Sequence, residues 1–206
     1  MNKEVAVFGS SSACCFENLY PNTYPYAASS ARGLSNINSR SKVNQKICST
    51  IKLLRKNSDV FFLFGEVDLS FVINYKYNNN HKFNCEKYIV ESAKNYINFI
   101  KKNTQDLNVY ICEVPISHVN DENLIKIINS YKKQKIESWE KSISPKVIQH
   151  ETRNKYILLF NSELKKLCKI NNFKLLKIND YFKNSPKSYK IPLKYIKKDQ
   201  LDHHLK

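Results

Sequence analysis

Val60-Phe61-Phe62-Leu63-Phe64-Gly65-Glu66-Val67-Asp68 is the stretch that decides the fold. Five consecutive apolar residues stop at a glycine and give way to two carboxylates. An apolar run of strand length, bounded by a turn residue, marks a strand covered on both faces, as in a parallel sheet. Val5-Ala6-Val7-Phe8 repeats the pattern, stopping at Gly9 before Ser10-Ser11-Ser12. Residues 109–114 form a third run, closed by Pro115, and residues 173–178 a last short one. Residues 24–28 offer one more short strand.

The segments between these runs carry a different period. Val43, Ile47, Ile51 and Leu54 have the spacing of a helix over 43–57, and Ile89, Ala93, Tyr96, Ile97 and Ile100 that of one over 85–102. Further helices are predicted over 124–139 and over 155–170, the latter with Tyr156, Leu159, Phe160, Leu164 and Leu167 on one face. Residues 17–42 read as loop, with Pro21, Pro25 and Gly33, and so does the polar tract 74–84. Strands alternating with helices predict a three-layer α/β/α sandwich around a parallel, flavodoxin-like sheet of about five strands. No repeat or Pro/Gly linker divides the chain, so residues 1–206 are expected to form a single domain. In such sheets ligands bind beyond the carboxyl ends of the strands, near the switch in strand order. Gly9-Ser10-Ser11 and Gly65-Glu66-Val67-Asp68 both emerge at that edge.

Composition narrows the class. An apolar fraction of 42% with 12% aromatics belongs to a globular chain rather than a disordered one. No run of about 18 apolar residues is present, so no membrane-spanning helix is expected. The first residues lack the pattern of a secretory signal, and the expectation is a cytoplasmic protein, in its own cell or a host. The net charge of +16 invites a nucleic-acid reading, but the lysines are spread along the whole chain among many Asn, Ile and Tyr. That mixture suits AT-rich coding bias and a solvated basic surface, and no nucleic-acid or membrane partner is expected. The six cysteines at 14, 15, 48, 85, 112 and 168 contain no CxxC and no Cys/His cluster of zinc spacing. Reduced, mostly buried thiols are expected, Cys14 and Cys15 included, with no metal and no cofactor.

The chemistry-bearing residues lie at the ends. A serine hydroxyl becomes a nucleophile when a base takes its proton, and the usual base is an imidazole oriented by a carboxylate. Ser10-Ser11-Ser12 follows the first strand, and Asp202-His203-His204 closes the chain. Glu66 and Asp68 follow the most apolar strand and point to opposite sides if the backbone stays extended, leaving one structural and one functional. The remaining histidines, 81, 118 and 150, have no carboxylate-rich spacing and read as surface residues.

Taken together, these pieces resemble the SGNH (GDSL-type) hydrolase superfamily. Gly9-Ser10-Ser11 is similar to its Gly-Asp-Ser block, which puts the nucleophile on Ser11, with Ser10 where the family has Asp. Ala31-Arg32-Gly33-Leu34-Ser35-Asn36 resembles the second block, with the Gly33 amide as oxyanion donor. Phe64-Gly65-Glu66-Val67-Asp68 resembles the Gly-x-Asn-Asp block, with Val67 in place of the oxyanion Asn and the Asn36 amide as a substitute donor. Residues 153–161 look like the start of the helix before the family's last strand. The terminal block makes His204 the base, with Asp202 beside it because Leu201 stands where the family's Asp belongs. His203, with Asp199, is the other pairing.

The resemblance implies a serine esterase or acyl-transfer enzyme acting on an O-acylated glycan or another small ester. A Gly-Glu-Val-Asp third block is further associated with polysaccharide-modifying gene sets. The displaced Asp and absent Asn equally suit a catalytically silent domain that binds a glycan or a protein partner. Oligomeric state is open.

Overall fold

The computed structural model describes residues 4–39, 41–80, 82–133, 148–185 and 188–189. The strands are β1 (Val5–Gly9), β2 (Thr23–Pro25), β3 (Asp59–Leu63), β4 (Asn108–Cys112) and β5 (Lys174–Leu176). Among the described residues they form one fully parallel sheet in the order β2-β1-β3-β4-β5. The chain leaves β1 for β2 on one side and adds β3 on the other, so the switch point lies between β1 and β3. Their register pairs Gly9 with Leu63, and Ser10 N–H donates to Leu63 O at 3.0 Å. The two turns singled out in the sequence therefore leave the sheet side by side.

The helices are α1 (Val43–Ile51), α2 (Ile73–Asn79), α3 (Cys85–Asn103), α4 (Asp121–Lys133) and α5 (His150–Asn171). Alternate strand residues Ala6, Phe8, Val60, Phe62 and Ile111 pack against Ile47 of α1, Ile89 and Ile97 of α3, and Ile157 and Phe160 of α5 in one buried cluster. Each of the Val, Ile and Phe side chains among them contributes roughly 1.5–3 kcal/mol by leaving water. On the opposite face the intervening residues Phe61 and Tyr110 stack at 4.6 Å, and Tyr20 continues the row at 6.3 Å from Phe61. A 3-10 helix over Ser11–Phe16 lies on this side, Phe16 stacking on Tyr20. The result is the α/β/α sandwich with flavodoxin-like strand order.

Several boundaries differ from the sequence reading. The first part of the tract 74–84 is not a loop: α2 occupies Ile73–Asn79 and Asn74 is wholly buried. Asn74 Nδ2 bonds Ser70 O, its Oδ1 accepts Ile148 N–H, and Asn78 Nδ2 bonds Asn74 O, so the polar side chains are satisfied within the fold. The helix expected over 43–57 ends at Ile51, with Asn57 in the left-handed region at φ 63°. The strand over 173–178 is cut to Lys174–Leu176 because a 3-10 turn begins at Ile178. α5 begins at His150, five residues early, and α4 covers Asp121–Lys133, residues 134–139 lying outside the described residues. A short antiparallel pair, β6 (Lys183–Ser185) with β7 (Ser188–Tyr189), follows. All six cysteines are free thiols, but Cys14 and Cys15, on the 3-10 turn after β1, are exposed and not buried. No helix among the described residues is long and apolar enough to cross a membrane.

Candidate active site

Close packing sets the start of the site. A Cβ on Gly9 would sit 2.7 Å from Ala13 Cβ and 3.0 Å from Leu63 O, so only glycine lets the serine turn fold back onto β3. Ser10 is 1% exposed, Ser11 is half-buried as the first residue of the turn, and Ala13 N–H closes onto Ser10 O at 3.0 Å. The Ser12 hydroxyl donates to the Glu66 carboxylate, joining the turn after β1 to that after β3.

Gly65 makes the matching turn at φ 125°, and the chain is helical from Glu66 onward, through a π-helical turn over Asp68–Val72 into α2. Glu66 and Asp68 therefore diverge around a helix and not along a strand. Glu66 faces Ser12, whereas Asp68 is 0% exposed and faces the core. Asp68 Oδ2 accepts Ala31 N–H at 2.5 Å, and Oδ1 accepts Arg32 N–H at 3.4 Å and the Tyr88 hydroxyl at 3.2 Å. Burial pushes the Asp68 carboxyl up to about 6, against the pull of these three donors. The same burial and the Asp68 charge push the Tyr88 phenol upward. Asp68 thus fastens the Ala31–Gly33 loop to the start of the helix.

That loop carries the other expected donors. Gly33 N–H donates to Ser30 Oγ at 2.9 Å. Asn36 is exposed, its Oδ1 accepting Asn38 N–H at 3.0 Å. Gly33, Asn36 and Ser11 are all outside the lining of the cavity described next, whereas Ser10, Ser12 and Glu66 are in it. Asp202, His203 and His204 lie outside the described residues.

A cavity of about 210 Å³ opens at the switch point, with Ser10, Ser12 and Glu66 in its wall. The loop after β4 supplies the facing wall, from Glu113 through Val119. α5 and the turn after β5 fix that loop by its backbone. Asn161 bonds both Val114 N–H and Val114 O, at 2.9 and 2.8 Å. Asn179 bonds Ile116 N–H and Val114 O at 2.9 Å each, and Asn154 Oδ1 accepts Ser117 N–H at 2.8 Å. Arg153, 2% exposed, donates to Val119 O at 2.6 Å, and to Ile148 O and Asp121 Oδ1 at 2.5 Å each. Burial lowers the guanidinium's affinity for its proton, and Asp121 opposes that.

His118 sits in this wall, half-buried and lining the cavity, and so is not the surface residue its sequence context suggested. Cys15 and Cys112 also line it, and burial pushes the Cys112 thiol up to about 12, which keeps it protonated and inert. No periodicity marks the 113–119 loop; the Asn and Arg residues that hold it are the only trace in the sequence.

Neither a family model nor a curated protein matches the sequence. Solved structures do match in shape. A protein assigned as an acylhydrolase, from Bacteroides fragilis, superposes with a TM-score of 0.52 over 95% of this chain and 76% of its own, at 11% identity. An extracellular lipase from Streptomyces rimosus superposes at 0.49 over 99% and 93%, at 11% identity. A variant of an acetyl-xylooligosaccharide esterase from Geobacillus superposes at 0.46 over 85% and 76%, at 10% identity. The first of these superpositions shows that the chain shares that protein's fold, built on the parallel five-stranded sheet described above.

Proposed function

We propose that the chain is a serine ester hydrolase of the SGNH type, acting on an acyl group carried by a glycan or another small alcohol. The observation that carries the proposal is the position of the cavity. It opens at the switch point of the sheet, and its wall includes residues on both sides of Ser11, at the end of β1.

In this reading Ser11 Oγ attacks the ester carbonyl while its proton passes to the imidazole of His204, held by Asp202. The tetrahedral oxyanion is met by the Ser11 amide at the start of its turn. Collapse expels the alcohol, which takes the proton from the imidazolium. Water then attacks the acyl-serine, loses a proton to the same imidazole, and releases the acid and the free serine. Ser11 is the residue to which the Gly9-Ser10-Ser11 block assigns the nucleophile, and it is half-buried where Ser10 is almost wholly buried. Gly33 N–H donates to Ser30 Oγ, so as a second oxyanion donor it would exchange that partner for the substrate.

A fluorophosphonate probe tests the proposal, since it labels only an activated serine. Labelling is expected at Ser11, lost in Ser11→Ala and His204→Ala and kept in His203→Ala and His118→Ala. Hydrolysis of p-nitrophenyl esters should fall by at least about a thousandfold in the first two variants. An unlabelled wild-type chain overturns the enzyme reading, and label on Ser10 or Ser12 overturns the nucleophile.

A further inference from the structure

The cavity is mostly apolar. Ser10, Ser12 and Glu66 stand where β1 and β3 end. Most of the remaining lining is apolar, Phe64, Phe71, Ile116, Leu124 and Ile157 among it, with Glu113, His118 and Arg153 also in the wall. Phe71 and Leu124 belong to a separate buried cluster with Val119, Ile127 and Ile128, which closes the far end against α4. Such a space, mostly apolar and opening beside the serine turn, suits a ligand with a polar head and a hydrocarbon tail.

Its volume sets the length of that tail. An apolar cavity of about 150 Å³ takes up a six-carbon ring in another protein, so about 210 Å³ holds roughly eight carbons. The wall is also stiff. The loop over Val114–Val119 is bonded by its backbone to Asn154, Asn161, Asn179 and Arg153, so it does not simply move aside for a longer chain. A cavity fixed in this way discriminates by length and not only by hydrophobicity.

We propose that this cavity is an acyl-chain pocket, and that the ester this chain hydrolyses carries a medium-chain acyl group of about six to eight carbons rather than acetyl. The inference rests on the ester-hydrolase reading for its activity arm, but the pocket itself is testable without turnover. With the full chain, kcat/KM on p-nitrophenyl esters is expected to rise roughly three- to fourfold per added methylene from acetyl, peak near hexanoyl to octanoyl, and fall at dodecanoyl.

Two variants at one position move the optimum in opposite directions. Ile157→Phe shortens the pocket, shifting the maximum to butanoyl or shorter and lowering octanoyl kcat/KM at least tenfold. Ile157→Ala lengthens it and moves the maximum toward decanoyl. A folding defect lowers all chain lengths together and cannot give this pair. Separately, calorimetric titration with sodium octanoate is expected to show saturable binding at least tenfold tighter than sodium acetate, weakened in Ile157→Phe. Octanoate binding without hydrolysis of any ester supports the pocket and sinks only the enzyme reading. Hydrolysis with an acetyl optimum, or octanoate binding no tighter than acetate, overturns the pocket.

Discussion

Asp68 accepts the backbone N–H of Ala31 at 2.5 Å while both residues are wholly buried, so a carboxylate at the start of one strand crossover holds the loop of another. The cost is desolvation, which lifts the Asp68 carboxyl from 3.8 to about 6. Between about pH 4 and 6 the folded chain therefore keeps a proton that the unfolded chain has lost. Stability from this group is highest below pH 4, falls as pH rises through the window, and levels off above pH 6, by about 3 kcal/mol in all. Asp68→Asn removes that titration. The difference in unfolding free energy, wild type minus Asp68→Asn, should drop by about that amount between pH 4 and 7 in urea titrations. A difference that stays flat with pH sinks the assignment.

Gly65 is irreplaceable for two independent reasons. Its φ of 125° is a region that side chains avoid, and a Cβ there would lie 2.7 Å from both Phe160 Cε1 and Val114 Cγ2. Phe160 and Val114 are core residues of α5 and of the loop after β4, packed too tightly to retreat. Gly65→Ala is expected to destabilise the chain by roughly 3 kcal/mol, from backbone strain and overpacking together. Thermal or urea unfolding checks this, and a loss below about 1 kcal/mol contradicts it.

The strands were legible because an apolar run of five or so residues that ends in glycine is too short for a core helix and suits a strand buried on both faces. Val60–Phe64 and Val5–Phe8 were each placed to within a residue. α2 was not legible: the period of its apolar residues is hidden by Asn74 and Asn78, which are satisfied by bonds to backbone that only the folded helix provides. The serine turn and the two carboxylates were found from their place after strands, and the structure does join Ser12 to Glu66. His118 was missed for the opposite reason. Its loop has no period and no motif, and its place in the cavity wall is made by α5, some thirty-five residues downstream in sequence, through Arg153 and Asn154.

Arg153 is the strongest single tie on that wall. Its guanidinium spans Val119 O, Ile148 O and Asp121 Oδ1, three acceptors that face different directions. Asp121 is 42% exposed at its side chain and can recover water, but the two carbonyls are buried with the arginine. Arg153→Met is expected to cost roughly 3 kcal/mol in urea unfolding. Arg153→Lys should recover less than half of that, because one ammonium cannot span a planar fork. Full rescue by lysine would show that charge alone matters and that the forked geometry does not.

The contact between Ser12 and Glu66 invites a rival nucleophile, and the two readings predict different kinetics. If Glu66 were the base for Ser12, removing its charge would abolish turnover, since an amide takes no proton. A carboxylate is also poorly matched to that task at neutral pH, where an imidazole titrates. In the Ser11 reading Glu66 only anchors the turn, and a glutamine keeps an oxygen in place to accept the Ser12 hydroxyl. Glu66→Gln is therefore expected to lower kcat/KM less than about tenfold and to leave the shape of the pH–rate profile near neutrality unchanged. Ser12→Ala should behave alike, whereas Ser11→Ala loses at least about a thousandfold. Loss of that size in Glu66→Gln and Ser12→Ala, with Ser11→Ala spared, would transfer the chemistry to the pair that the structure joins directly.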